Sequence, residues 1–209
     1  MDLVVVGTGG LAREFLNFFS NQVNIVGFSS TNKSEYQKFN LPGKFFESEI
    51  TPQTVGTKYC VVAIGSPAIK KSVSEKLTTK GFIFPNIIHS SSIVAGKIKS
   101  SIAGIIISPN CIVGPDVSFG GHVYLNFMVG VGHDAILGNY IQVNPGVIIG
   151  GAAVIEDEVL IGSGSKLRQR IKIRKNATVG SGSVVLSSVR EGITVIGNPA
   201  KRLKLPKFD

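Results

Sequence analysis

The sequence predicts an α/β domain with a parallel sheet, followed by a solenoid of short β-strands. Residues 1–88 alternate apolar runs with helical patterns, whereas from Val113 onward the helical spacing gives way to a six-residue period. The 25 glycines and the absence of tryptophan favour an architecture with many tight turns. We therefore expect a nucleotide-binding-like domain over 1–88 and a solenoid domain with a C-terminal tail over 89–209.

The elements of the first domain follow from its local patterns. The apolar run LVVV at 3–6 leads into GTGG and then into LAREFLNFFS, whose apolar spacing predicts an amphipathic helix. Further elements are predicted as strands at 24–28 and 59–65, a helix over 66–81 that ends at Gly81, and an apolar segment at 82–88.

The second domain divides into thirteen consecutive hexapeptides between Val113 and Arg190 without an insertion. The first position is always aliphatic or Phe, the fifth is always Val, Ile, Ala or Ser, and the second is Gly in seven hexapeptides. A coil of three short strands and three corners places every first residue in one stacked interior column, so that column must be apolar. Gly at the second position is expected to relieve crowding or to adopt a positive φ.

Composition narrows the partners and the compartment. A net charge of +9 indicates an anionic partner, but few aromatics and no zinc-finger or RNP-type motif favour phosphorylated small molecules over nucleic acid. Cys60 and Cys111 lie in apolar segments and are expected to be buried, reduced thiols. No signal peptide or membrane-spanning segment is indicated, so we expect a cytoplasmic protein.

Four motifs in order resemble the sialic acid O-acetyltransferase NeuD family of hexapeptide-repeat acyltransferases: GTGG, VVAIGSP, GHD and VIGNPAKRL. The resemblance covers essentially the whole chain. It implies a Rossmann-like domain joined to a left-handed parallel β-helix, a homotrimer, and acetyl-CoA bound in a groove between subunits. It also implies N-acetylation of a UDP- or dTDP-linked 4-amino-4,6-dideoxyhexose for a surface glycan such as lipopolysaccharide O-antigen.

The resemblance places the catalytic base at His133, followed directly by Asp134. An amine that attacks a thioester must lose a proton, and imidazole is suited to take it near neutral pH. A carboxylate on the other ring nitrogen would fix the tautomer. Neighbouring strand residues point to opposite faces, so adjacency alone does not establish that contact.

Three further residues are implied by the same resemblance. The backbone N–H of Gly151 would stabilise the oxyanion, and Asn126 would position the amine. Some family members have a second histidine nine residues after the base, at the acetyl-CoA thioester. This chain has Gln142 there, which can donate a hydrogen bond but cannot act as an acid or base near pH 7.

The segment KLRQRIKIRK at 166–175 has six basic residues in ten. Strand alternation would place Lys166, Arg168, Arg170, Lys172 and Arg174 on one outward side. Arg168 and Arg170 would then contact the phosphates of acetyl-CoA. A solvated surface is the alternative interpretation.

The first domain is expected to bind the nucleotide of the sugar. The backbone around Gly7, Gly9 and Gly10, with the following helix N-terminus, can cradle a phosphate. A dinucleotide site needs an acid about 20 residues later, but Phe28, Ser29 and Ser30 stand there, which argues against NAD. The expected substrate-binding set is Gly7, Gly9, Gly10, Ser29, Gly65, Ser66 and Asn126.

Two other functions remain open, and a third is disfavoured. An O-acetyltransferase acting on sialic acid or another sugar hydroxyl has the same scaffold. A trimeric nucleotide-sugar-binding protein without catalysis is an alternative of another class. A γ-type carbonic anhydrase is disfavoured because His89, His122 and His133 lack the spacing of a three-histidine zinc site, and we expect no metal.

Overall fold

The computed structural model describes residues 1–96 and 103–203, so the end of the predicted C-terminal tail, 204–209, lies outside the described residues. The first domain is a four-stranded parallel sheet in the order β3-β2-β1-β4. Its strands are β1 Asp2–Val6, β2 Asn24–Ser29, β3 Lys44–Phe46 and β4 Cys60–Val62, and its helices are α1 Gly10–Phe19, α2 Lys33–Lys38, α3 Pro52–Val55 and α4 Pro67–Thr79.

The GTGG motif forms the glycine turn, from which helix α1 begins. This helix buries Ala12, Phe15 and Phe19, as its amphipathic spacing predicted. Helix α4 ends where expected, since Lys80 is its C-cap and Gly81 follows with φ +87°. The pattern-based analysis missed α2, β3 and α3 because each is shorter than two helical turns or a typical strand. Strand β4 is also shorter than the 59–65 run, although Tyr59 forms an isolated parallel bridge with Ile83.

The second domain is a left-handed parallel β-helix with three sheets. The docked face, which packs on the first domain, contains β5 Ile87–Ile88, β7 Ile106–Ile107, β10 Tyr124–Leu125, β13 Gln142–Val143, β16 Leu160–Ile161, β19 Thr178–Val179, β21 Thr194–Ile196 and β22 Lys201–Arg202. The isoleucine face contains β6 Ile93–Val94, β8 Ile112–Val113, β11 Gly130–Val131, β14 Ile148–Ile149, β17 Lys166–Leu167 and β20 Val184–Val185. The short face contains β9 Ser118–Phe119, β12 Ile136–Leu137, β15 Val154–Ile155 and β18 Lys172–Ile173.

The predicted interior column is confirmed. Every first residue from Val113 to Val185 is buried in one apolar cluster. Partners on successive strands are 18 residues apart, as in Tyr124 with Gln142, so three hexapeptides make one coil. Both cysteines are free and buried, as expected.

Of the two expected reasons for glycine at the second position, the structure shows the relief of crowding and not the positive φ. The left-handed φ occurs at the fourth position of the first twelve hexapeptides, for example φ 58° at Asp116 and φ 60° at Asp134, and not at the second position. A Cβ on the second-position Gly132 would lie 2.5 Å from the backbone nitrogen of Gly151 in the next coil. Close stacking of coils, and not a positive φ, therefore requires glycine there.

The two domains share a continuous apolar contact. Ile87, Ile106 and Tyr124 of the docked face belong to the same buried cluster as Phe15 and Phe19 of α1. Strand β5 pairs with β7, which places the start of the β-helix two residues before the boundary expected after residue 88. This packing fixes helix α1 against the solenoid, whereas α4 contacts the solenoid through a hydrogen bond from Lys70 to the carbonyl of Ile141.

Candidate active site

His133 lies at the corner that follows β11, where the chain turns from the isoleucine face to the short face. Its Nδ1 is 2.7 Å from Oδ2 of Asp134, and both side chains are exposed. The two neighbours can meet because Asp134 adopts a left-handed φ at a corner and is not part of a regular strand. The remaining ring nitrogen, Nε2, has no hydrogen-bond partner in the part of the chain that the structure describes and can exchange a proton with a ligand.

Gly151 occupies the same corner one coil further along. A Cβ at this position would lie 2.7 Å from Nε2 of His133, so any side chain would displace the imidazole. The coils are joined here by a hydrogen bond from the backbone N–H of Ala152 to the carbonyl of His133, 2.7 Å. The N–H of Gly151 itself has no acceptor within residues 1–96 and 103–203. A free backbone donor therefore lies beside the free nitrogen of His133.

Arg168 and Arg170 lie at this corner in the following coil. The backbone N–H of Arg170 donates to the carbonyl of Gly151 at 2.9 Å, and both arginines are exposed. The expectation that the whole basic segment shares one side was wrong, because the chain turns a corner between Lys166 on the isoleucine face and Lys172 on the short face. Among the basic residues of this segment, Arg168 and Arg170 are the two that lie in the same column of corners as His133.

Asn126 lies at a different corner, at the opposite edge of the isoleucine face. It is buried, its Nδ2 donates to Oε2 of Glu14 on α1 at 3.0 Å, and its Oδ1 accepts from the N–H of Phe127 at 2.8 Å. Within one chain Asn126 and His133 are thus separated by the width of that face.

Gln142 is buried on the docked face. Its Oε1 accepts from Nζ of Lys70 on α4 at 3.0 Å, and its Nε2 donates to Oδ1 of Asn144 at 3.2 Å. Asn144 follows Asn126 by one coil, so Gln142 adjoins the Asn126 corner and does not share the corner of His133. Its Nε2 keeps a second N–H beyond this bond, so the contact of Gln142 with the thioester stays a prediction.

Lys70 is enclosed between the two domains. It also donates to the carbonyl of Ile141 at 3.2 Å, and no acidic side chain pairs with it within the described ranges. Burial lowers the pKa of Lys70 to about 7, because no counter-charge offsets the loss of water.

The glycine turn lies at the carboxyl end of β1. Gly7 has φ +117°, and a Cβ on it would lie 2.8 Å from the carbonyl of Ala63, so only glycine fits. Gly9 is the N-cap of α1, and Gly10 is its first residue. Oγ1 of Thr8 donates to Oε2 of Glu35 at 2.8 Å, which brings a carboxylate onto the turn where a phosphate was expected.

A pocket of about 250 Å³ opens beside this turn, lined by Gly7, Ser29, Ser30, Ile64 and Ile69 among others. Ser29 is buried and donates through Oγ to the carbonyl of Glu47 at 3.0 Å. Ser66 caps α4 by accepting from the N–H of Ile69, and Gly65 precedes it with open space around its Cα. Gly7 and Ser29 therefore line this pocket, and Gly65 and Ser66 directly follow Ile64 of its wall.

Glu14, Glu35 and Lys70 were missed by the sequence analysis. The charged pair Arg13–Glu14 inside the otherwise apolar GLAREFLNFF was the signal for Glu14. Glu35 of α2 brings a carboxylate to the glycine turn, where Phe28, Ser29 and Ser30 offer none.

The other two histidines, His122 and His89, make contacts within the protein and lie away from the His133 corner. His122 is buried and stacks on Tyr140 with ring centroids 5.0 Å apart, and burial lowers its pKa to about 4. His89 contacts Oγ of Ser91. No group of three metal-binding side chains is found in residues 1–96 and 103–203. None of the helices described is long and apolar enough to cross a membrane.

The fold is that of a hexapeptide-repeat protein, with a Rossmann-like domain preceding the left-handed β-helix. In particular, residues 2–77 match the PglD N-terminal domain. No curated protein matches the chain by sequence.

Solved structures of similar fold cover nearly the whole chain. Perosamine N-acetyltransferase from Caulobacter crescentus, as a histidine-to-asparagine mutant with CoA and GDP-perosamine, has a TM-score of 0.84 at 20% identity, covering 98% of this chain and 97% of its own. The acetyltransferase domain of PglB from Neisseria gonorrhoeae FA1090, with acetyl coenzyme A, has a TM-score of 0.83 at 25% identity, covering 97% and 98%. WeeI from Acinetobacter baumannii AYE has a TM-score of 0.71 at 21% identity, covering 97% and 100%.

Proposed function

We propose that this protein transfers the acetyl group of acetyl-CoA to the amino group of a nucleotide-linked 4-amino-4,6-dideoxyhexose. The observation that carries the proposal is the corner where Nε2 of His133, with Nδ1 held by Asp134, adjoins the free N–H of Gly151. The bound ligands of the similar structures, CoA with GDP-perosamine and acetyl coenzyme A, support the same chemistry.

His133 acts as general base in this scheme. The amine nitrogen attacks the thioester carbonyl, and Nε2 takes the proton that the nitrogen loses as the N–C bond forms. When the tetrahedral intermediate collapses, the C–S bond breaks and the imidazolium returns that proton to the sulfur, giving the amide and CoASH. Asp134 keeps a proton on Nδ1, so that Nε2 has its lone pair available.

The N–H of Gly151 stabilises the oxyanion of the tetrahedral intermediate in this scheme. Its N–H is the backbone donor beside the imidazole, and the missing side chain lets a thioester approach that donor. A preorganised donor at this point stabilises the charge that develops on the carbonyl oxygen.

Acetyl-CoA is proposed to run along the column of corners that continues from His133 through Gly151. Arg168 and Arg170 occupy the next coil of this column, about 5 Å further for each coil crossed. Their exposed guanidinium groups suit the phosphates of the cofactor.

The first domain is proposed to bind the nucleotide of the acceptor in the pocket beside the glycine turn. Glu35 lies over the N-terminus of α1, so this carboxylate would repel a phosphate there but would accept hydrogen bonds from ribose hydroxyls or base N–H groups. The phosphates then fit better at the hydroxyl-lined side of the pocket, near Ser30.

The active protein is proposed to be a homotrimer. The isoleucine face exposes Ile93, Ile112 and Ile148 at 64%, 59% and 47% of their surface, and the adjoining corner exposes Met128 at 61%. A continuous apolar face of this kind marks an interface. Three copies that bring these faces together around a three-fold axis would bury them and would leave the His133 corners along the edges.

The test is a CoASH-release assay of the purified protein with acetyl-CoA and a panel of UDP-, dTDP- and GDP-linked 4-amino sugars. The proposal expects turnover with at least one of them and an N-acetyl product by NMR. An O-acetyl product, or turnover only with free sialic acid, would favour the hydroxyl-acetylating alternative. Nucleotide-sugar binding without turnover would favour a non-catalytic trimer.

A further inference from the structure

Asn126 is poorly placed to receive an incoming amine, because it is buried and its amide already bonds within the protein. Its Oδ1 accepts from the N–H of Phe127 at 2.8 Å, and its Nδ2 donates to Oε2 of Glu14 at 3.0 Å. Glu14 is the more accessible acceptor of this pair, because it is only half-buried and its carboxylate accepts through both oxygens.

The second oxygen of Glu14 is unoccupied. Within residues 1–96 and 103–203 no donor bonds to its Oε1 and no lysine or arginine pairs with the carboxylate. The residue is half-buried at the junction of α1 with the docked face. A partly desolvated carboxylate without a cation favours a cationic ligand, and a sugar amine is an ammonium ion near neutral pH.

The position of Glu14 along α1 suits the reacting end of the proposed substrate. Helix α1 begins at the glycine turn, next to the nucleotide pocket. Glu14 lies four residues after Gly10, which is about 6 Å along the helix axis. A substrate whose nucleotide occupies the pocket can therefore extend its sugar along α1 towards the Glu14–Asn126 pair.

The partner of this pair is the His133 of another copy. Asn126 precedes β11 and His133 follows it, so the two residues flank the isoleucine face at the same level of the β-helix. When three such faces close around a three-fold axis, each edge of one copy meets the opposite edge of the next copy. The Asn126 edge of one protomer then lies against the His133 edge of its neighbour.

We infer that Glu14, fixed by Asn126, receives the amino group of the acceptor and presents it to His133 of the neighbouring protomer. The inference rests on the proposed function. Oε1 of Glu14 accepts an N–H of the ammonium group, which aims the nitrogen at the thioester. His133 removes one proton to expose the lone pair, and a second when the N–C bond forms; one returns to the departing sulfur as the C–S bond breaks, and the other passes to water. Glu14 is thus a substrate-binding residue that positions the nucleophile.

The experiment combines two impaired variants, Glu14→Gln and His133→Asn, with different affinity tags. Each variant alone should form trimers and bind acetyl-CoA normally, while Glu14→Gln should lower kcat/KM for the amino sugar by about 10- to 100-fold, as expected for a lost bond to a charged group. Mixed trimers purified through both tags contain one site with native Glu14 and native His133. They should recover about one third of the wild-type activity.

A control variant and the wild-type protein distinguish a failure of the Glu14 inference from a failure of the proposed function. Glu75→Gln removes a carboxylate from the exposed side of α4 and should keep full activity. Mixed trimers as inactive as their parents, or a fully active Glu14→Gln, would overturn the inference while leaving the proposed function intact. Wild-type protein that acetylates no amino sugar would overturn both.

Discussion

Nε2 of His133 faces the backbone of Gly151 so closely that a methyl group on Gly151 would lie 2.7 Å from it. The φ of Gly151 is not in the left-handed region, so backbone conformation does not demand glycine there. Glycine is instead needed because a side chain here would collide with the imidazole of His133. One residue thus sets both the position of the base and the access to a free N–H.

Gly151→Ala should therefore act on the chemistry and not on the fold. The backbone tolerates alanine at such a φ, and the free energy of unfolding should change by less than about 1 kcal/mol. The displaced imidazole should lower kcat by about 10²-fold, a typical cost of misplacing a reacting group by 1 Å. Steady-state kinetics measure the change in kcat, and thermal melts of the same preparation measure the change in stability.

A double-mutant cycle checks that this effect passes through His133. In a His133→Asn background, Gly151→Ala should have little further effect on kcat, because the displaced group is already missing. Additive losses would instead assign the effect to blocked approach of the thioester.

His133→Asn should lower kcat by about 10²- to 10⁴-fold with acetyl-CoA binding intact, the range expected when acid–base assistance is lost. The side chain is exposed at a corner and supports no buried contact, so the variant should fold normally. Calorimetric titration with CoA gives the binding control. Near wild-type kcat in this variant would remove His133 from the mechanism.

Asp134→Asn should have a smaller effect. The carboxylate contacts Nδ1 of His133 at 2.7 Å, but both groups are exposed in the single chain, and water weakens such a pair. We expect kcat to fall about 5- to 20-fold with an unchanged KM for acetyl-CoA. A loss as large as that of His133→Asn would mean that trimer assembly removes the pair from water.

The sequence predicted the solenoid and its interior column well because both depend on local spacing. A period of six places Val131 in the interior column, and the corner that follows must then present His133 outward. The Glu14–Asn126 hydrogen bond joins residues 112 positions apart, and the Lys70–Gln142 bond joins residues 72 apart. Such contacts depend on how α1 and α4 dock on the solenoid, which no periodic pattern encodes. The role of the basic segment was misjudged for a related reason: alternation was extended across a corner.

Arg168→Ala or Arg170→Ala should raise KM for acetyl-CoA more than KM for the sugar, and added salt should reduce the difference by screening. Lys172→Ala is the matched control, since Lys172 lies beyond the corner on the short face and should leave both constants unchanged. Equal effects of the arginine and lysine variants would show that the cofactor does not follow this column. Initial rates at two ionic strengths are sufficient.

Lys70 should make stability depend on pH. Burial lowers its pKa from 10.5 to about 7 in the folded protein, whereas the unfolded chain keeps the ordinary value. Between these values the unfolded state binds more protons, so this group makes the free energy of unfolding rise with pH, by up to about 1.4 kcal/mol per unit. Below pH 7 both states are protonated, and the contribution of Lys70 becomes constant.

Urea denaturation should therefore show a higher free energy of unfolding at pH 9.5 than at pH 7.5, and Lys70→Met should remove this gain. Lys71→Met is the control: Lys71 pairs with Glu158 at 2.8 Å, which raises its pKa, so it titrates above this window in both states and its loss should leave the gain in place. An unchanged gain in Lys70→Met would mean that Lys70 stays protonated in the interface, and the hydrogen bonds to Ile141 and Gln142 would then have to offset the burial of a full charge.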